Sequence, residues 1–162
     1  MLKITGTACI EASPEKVWKF LSDIENMPLW SESVLSAKCT GELKRGVGAE
    51  RTCNLKNNIT IVERWVSWNE GSSFTYEGFN LPLVKSAKNT WSLISENGKT
   101  LLITESEVVL KGGIFGRLLE PLMRFIATKI GSDALAAFKY LVENEQPFEG
   151  KHSLLPRVPI AC

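Results

Sequence analysis

Apolar positions along the chain follow two rhythms. From Gly116 to about Gln146, Leu119, Leu122, Ile126, Ile130, Ala134, Ala137 and Leu141 recur every three or four residues, the period of one helix face. At about 1.5 Å per residue such a helix runs on the order of 45 Å, enough to cross a small sheet. Before it, residues 2–11 and then runs near 33–41, 47–56, 59–69, 72–79, 84–96 and 99–110 read as strands. Asn97-Gly98 between two of these runs predicts a type I′ hairpin, and Asn57-Asn58 and Gly71 mark further turns. Ser13-Pro14-Glu15 predicts a helix start, with Ser13 as N-cap and Pro14 in the first turn. Lys16 stands where a capping-box glutamate would. A second short helix is expected at 23–27, ending before Pro28. Short strands joined by tight turns imply an antiparallel meander. The expected architecture is one α+β domain over residues 1–146, followed by a Pro- and Gly-containing tail at 147–162.

Composition narrows the function classes. With 162 residues the chain has the length of one domain. Its charges are interspersed and sum to +1, which predicts neither a nucleic-acid partner nor a membrane-surface footprint. No apolar run approaches 18 residues, so stable membrane insertion is not expected. Lys3, Gly6 and Glu11 interrupt any signal-peptide pattern, making the cytoplasm the default location. Cys9, Cys39, Cys53 and Cys162 lack metal-ligand spacing, and His152 is the one histidine. Neither a metal nor another cofactor is expected, and in a reducing compartment the cysteines should be free thiols. The chain is expected to be a monomer or homodimer.

Several stretches carry a family resemblance. They are Ile10-Glu11-Ala12-Ser13-Pro14-Glu15-Lys16-Val17-Trp18 with Leu21-Ser22-Asp23, Pro28-Leu29-Trp30, Gly46-Val47-Gly48-Ala49-Glu50-Arg51, Val62-Glu63-Arg64-Trp65-Val66 and Thr90-Trp91-Ser92-Leu93. Over roughly residues 3–145 the chain resembles the START-like superfamily (SRPBCC, or Bet v 1-like), most closely its polyketide cyclase/dehydratase and lipid-transfer branch. That resemblance implies a helix-grip: a curved seven-stranded antiparallel sheet around the long C-terminal helix, two short helices after the first strand, and a cavity for a small hydrophobic molecule.

Strand alternation ranks the side chains that would line such a cavity. Phe74 and Tyr76 share one face, as do Ala87, Asn89, Trp91 and Leu93, and both sets are expected inside. Along 59–69, Ile59, Ile61, Glu63 and Trp65 oppose Val62, Arg64, Val66 and Trp68, so periodicity leaves the inner face open. In the abscisic-acid receptor branch, which the chain also resembles, glutamates matching Glu63 and Glu105 lie in the pocket; a solvated sheet face is the alternative for both. Arg51, if inward, could pair with Glu63 or an anionic group. Lys129 and Asp133 fall on or near the apolar helix face and could pair locally or reach the cavity. The expected ligand-binding set is Trp30, Arg51, Cys53, Ile61, Glu63, Trp65, Phe74, Tyr76, Asn89, Trp91, Leu122 and Ile126.

Two functions compete. The first is a carrier or sensor that binds a lipid, polyketide or similar molecule, which needs only an apolar cavity with a few placed polar groups. The alternative is a cyclase, aromatase or dehydratase acting on a polyketide-type substrate. Its catalytic candidates are Glu63 and Glu105 with Arg51 or Tyr76, since such chemistry needs buried groups of shifted pKa.

Overall fold

A computed structural model describes residues 1–162. Strand β1 (Leu2–Ile10) leads into helix α1 (Pro14–Leu21), which starts as expected: Ser13 Oγ accepts from Lys16 N at 3.4 Å and Pro14 occupies the first turn. The second short helix is displaced. Residues 23–26 form a turn in which Asp23 accepts from Glu25 N, and a single 3-10 turn follows at Met27–Leu29 with Pro28 inside it. Proline lacks an N–H, and the first helical turn is where that loss is harmless.

Six strands then run as β2 (Val34–Cys39), β3 (Glu50–Leu55), β4 (Thr60–Asn69), β5 (Ser73–Phe79), β6 (Val84–Glu96) and β7 (Lys99–Leu110). All neighbours pair antiparallel in the order β1-β7-β6-β5-β4-β3-β2, so β1 and β2 form the edges. Asn97 and Gly98 both have positive φ (51° and 78°), as a type I′ turn requires. Helix α2 (Ile114–Asn144) closes the domain. It lies mainly over β1 and comes closest at Gly6, where an added Cβ would sit 2.7 Å from Leu135 Cδ1.

The packing divides α2 in two. Leu135, Ala136, Ala137, Phe138, Leu141 and Val142 are buried, whereas the large apolar residues from Ile114 to Ile130 are exposed, except the half-buried Met123. Leu122 (57% exposed) and Ile126 (41%) are therefore not enclosed between helix and sheet as the sequence suggested. Lys129 is exposed and Asp133 half-buried, and no ion pair joins them.

Residues 147–162 are more than a loose tail. Phe148 packs edge-on against Tyr140, a 3-10 turn at His152–Leu154 buries His152, and Leu155 and Val158 pack on the main core. Cys9 N donates to the Pro159 carbonyl at 2.7 Å, and Cys9 and Cys162 form a disulfide across 153 residues. This corrects the expectation of four free thiols: only Cys39 and Cys53 are free. No helix is long and apolar enough to cross a membrane.

Candidate functional site

Strand register arranges the concave face in cross-strand rows. Nearest the start of α2, Arg51, Glu63, Gly78, Ala87, Val108 and Leu2 stand side by side. The next row is Trp65, Tyr76, Asn89, Ser106 and Ile4, and the third is Trp68, Phe74, Trp91, Thr104 and Gly6. Side-chain volume is distributed unevenly among them. The third row is dense: Trp30 contacts Trp91 and Phe138 at 5.3 and 5.5 Å between ring centroids, and Trp68 stacks on Phe74 at 5.4 Å. The buried half of α2 closes over it. In the first row the centre is held by a glycine and an alanine, and a Cβ on Gly78 would meet Leu81 Cδ1 at 3.0 Å and Ala87 Cβ at 3.7 Å.

The first row also holds the buried charges. Arg51 and Glu63 are 4% and 5% exposed. Arg51 Nε and Nη2 donate to Glu63 Oε2 at 2.8 and 2.5 Å, and Nη1 donates to the Ile24 carbonyl at 2.7 Å. The Cys53 thiol donates to the same Oε2 at 3.6 Å. All three of these Glu63 contacts fall on one oxygen; Oε1 receives none. The guanidinium also lies 5.0 Å from the Trp65 ring centre and 5.7 Å from that of Tyr76, adding cation–π attraction on its flat faces. Beside them, the Trp65 Nε1 donor is buried without a hydrogen-bond partner, which is uncommon enough to need a reason.

Burial holds two of the titratable side chains here in their protonated forms. Burial works against the charge on Arg51, but Glu63, Tyr76 and Cys53 around it raise its pKa. Burial pushes the Cys53 thiol up to about 12, with Arg51 only partly opposing. Burial, followed by the adjacent Glu63, also raises the Tyr76 phenol. Cys53 is thus a thiol, not the thiolate a nucleophile requires, and Tyr76 is a donor rather than a base.

The structure therefore brings Arg51, Cys53, Ile61, Glu63, Trp65, Phe74 and Tyr76 onto one buried face with Trp91 and the half-buried Asn89, whose Oδ1 accepts from Ser106 Oγ at 2.5 Å. Trp30 is buried above this face. Glu105 does not join them. It is exposed on the opposite side of β7, paired in register with Thr5 and Thr90, so a Glu63–Glu105 carboxylate pair is ruled out. Ala87 is buried on the inner face where strand alternation put it, but neither it nor Gly78 and Val108 stood among the expected ligand-binding residues; the only available signal was their smallness, which strand periodicity does not weigh.

A separate groove of about 670 Å³ lies outside the grip, between α1 and the β2–β3 connection, lined by Lys19, Glu42, Lys44, Arg45 and Glu70 among others. Its wall is fixed by Glu70, which accepts from the indole N–H of Trp18 and of Trp68, both at 2.8 Å, and pairs with Arg45. The Trp68 and Trp18 bonds, with Arg45 behind them, hold the Glu70 carboxyl below its ordinary 4.5. The folded-state pKa is depressed, so the stabilisation is present above the unfolded value and is lost as pH falls through the folded one. Tryptophan fluorescence is expected to show an acid transition with a midpoint below 4.5 that Glu70→Gln removes; a transition unchanged in that variant would assign it elsewhere.

Solved structures share this architecture at low sequence identity. The protein XoxI from Bacillus cereus superposes with a TM-score of 0.72 at 23% identity, covering 88% of this chain and 96% of its own. TTHA0849 from Thermus thermophilus gives 0.74 at 17% identity, covering 88% and 98%. The Zhui aromatase/cyclase from Streptomyces sp. R1128 gives 0.70 at 12%, covering 88% and 94%. At such identities the likeness establishes the fold alone. No curated protein sequence matches the chain. The family model described as polyketide cyclase/dehydrase and lipid transport matches residues 1–143. Seven antiparallel strands gripping a C-terminal helix, together with that match over nearly the whole domain, place the chain in the polyketide cyclase/dehydrase and lipid transport family of the START-like superfamily.

Proposed function

We propose that this protein is a carrier or sensor for one small, mainly apolar molecule that carries a hydroxyl or carbonyl group. The molecule enters the lightly filled end of the space between sheet and helix, with its polar end toward Glu63 and Trp65. One observation carries this reading: the row Glu63–Gly78–Ala87–Val108 combines a buried charge with small side chains on the concave face. Glu63 Oε1 offers an acceptor, while Tyr76 and the unpartnered Trp65 Nε1 offer donors. An apolar wall with a few convergent polar groups is the usual form of a small-molecule site. The family's lipid-transport description fits carriage.

The aromatase/cyclase named among the structural neighbours suggests catalysis instead. Against it stand the outward-facing Glu105, a Cys53 pKa of about 12 and a raised Tyr76, because general acid–base catalysis needs groups that titrate near working pH. The proposed location remains the cytoplasm, and the proposed assembly a monomer or homodimer.

Native mass spectrometry of protein purified without organic solvent tests occupancy, and titration with a fluorescent fatty-acid analogue tests the site. Val108→Trp places an indole over the small row and is expected to weaken the analogue by about tenfold or more while circular dichroism stays unchanged, since a filled pocket excludes ligand. Unaltered affinity would place the ligand elsewhere.

A further inference from the structure

We infer that the first half of α2, with the β5–β6 loop beside it, is a docking face for the surface of an anionic lipid bilayer. Four large apolar residues of this half, Ile114, Phe115, Leu118 and Phe125, are 71–78% exposed, and Leu119, Leu122, Ile126 and Ile130 extend the same face. Soluble monomers seldom leave so continuous an apolar surface uncovered. A second element contributes independently. Leu83, in the β5–β6 loop, is exposed and holds a left-handed backbone with φ of 62°, a conformation that a bulky side chain rarely adopts. Its carbonyl accepts from Lys111 N at 2.8 Å, so this leucine sits against the strand end that leads into α2. Strain of this kind collects at functional places.

Charge selects the occupant. Between Lys111 and Gly131 the chain carries Lys111, Arg117, Arg124 and Lys129 against one acid, Glu120. Glu120 is already engaged with the Met1 ammonium at 3.1 Å, and Arg124 Nη1 donates to the Lys3 carbonyl at 2.8 Å, which leaves Lys111, Arg117 and Lys129 as the cations not held by β1. The whole-chain charge of +1 hides this local excess, which is why composition gave no membrane-surface footprint. A second copy packed symmetrically on the face would bring these cations against one another, and like charges opposed across an interface are unfavourable. An anionic bilayer satisfies both halves of the pattern: acyl chains take the leucines and phenylalanines, and headgroup phosphates take the lysines and arginines. The helix would lie in the interface plane, not span it; no helix here meets the requirement for crossing. Docked this way, the membrane adjoins the small-residue row of the sheet, so a lipid-soluble molecule would pass between them without crossing open water.

Vesicle flotation tests the inference without reference to any bound ligand. Phosphatidylcholine vesicles containing about one-third phosphatidylglycerol are expected to bind the protein at least about tenfold more tightly than pure phosphatidylcholine, with the difference shrinking at high salt. Arg117→Glu with Lys129→Glu is expected to weaken that binding by about tenfold or more, given roughly fivefold per cation near such a surface. Leu118→Glu with Phe125→Glu should abolish it, and because both residues are exposed the thermal unfolding midpoint should hold. Equal binding to neutral and anionic vesicles, or binding indifferent to either pair of substitutions, overturns the inference. So does sedimentation showing a solution dimer that Leu118→Glu with Phe125→Glu dissociates, since the face would then belong to a second copy.

Discussion

Replacing Glu63 by leucine is expected to lower the free energy of unfolding by about 3–5 kcal/mol, because it strands a buried guanidinium. Arg51 keeps its bond to the Ile24 carbonyl and its contacts with the rings of Trp65 and Tyr76, but none of these carries the opposite charge. Arg51→Met combined with Glu63→Leu is expected to cost clearly less than either change alone, since no unpaired ion remains and the volumes are similar. Urea denaturation of the four proteins closes the cycle. The same double variant separates architecture from recognition. If Glu63 and Arg51 orient a ligand's polar end, the variant should keep affinity for the apolar body yet lose preference for a hydroxylated compound over its deoxy analogue. Undiminished preference would return the pair to a purely structural role. A single Glu63→Leu costing under about 1 kcal/mol would show that water reaches Arg51, in conflict with its burial.

Cys162→Ser is expected to produce the other large effect. The Cys9–Cys162 bond closes a loop spanning 153 residues, for which chain entropy alone gives about 5 kcal/mol as an upper figure and 2–4 kcal/mol as a common outcome. Dithiothreitol should shift the thermal midpoint of the native protein by the same amount as the substitution, and should leave the variant unmoved. The freed segment holds Arg157, exposed beside the Val158 that packs on the core, so trypsin should cut there faster after reduction. The decisive check is the mass of protein alkylated in denaturant at the moment of lysis, so that the buried Cys53 reacts as well. Two alkyl groups, on Cys39 and Cys53 alone, accord with the bond; alkylation of Cys9 and Cys162 sinks it. A reducing cytoplasm opposes such a crosslink, which gives the measurement consequences for location as well as stability.

How the chain would fold was legible because the signals are local. The strand runs end within a few residues of the observed strands, the Asn97-Gly98 turn has the backbone those residues favour, and Ser13 caps α1. Side-chain volumes on β5 and β6 were equally plain: Phe74, Tyr76 and Trp91 had one sensible direction, and each is buried. The direction of Glu63 was not legible, because apolar residues occupy both sides of β4 and a period of two cannot choose between equally greasy faces. Register chose, by setting Arg51 directly opposite Glu63.

The meander, the long helix and the family were readable from local patterns, each repeated over a few residues. Tertiary structure decided which charges are buried, where small side chains line the concave face, and what the helix covers. Helical periodicity states which side chains share a face; it does not state that another surface meets them. Only the half of α2 from Leu135 to Val142 found that surface. Likewise no local pattern links Cys9 to Cys162, whose proximity exists only after β1 and the final segment have folded side by side.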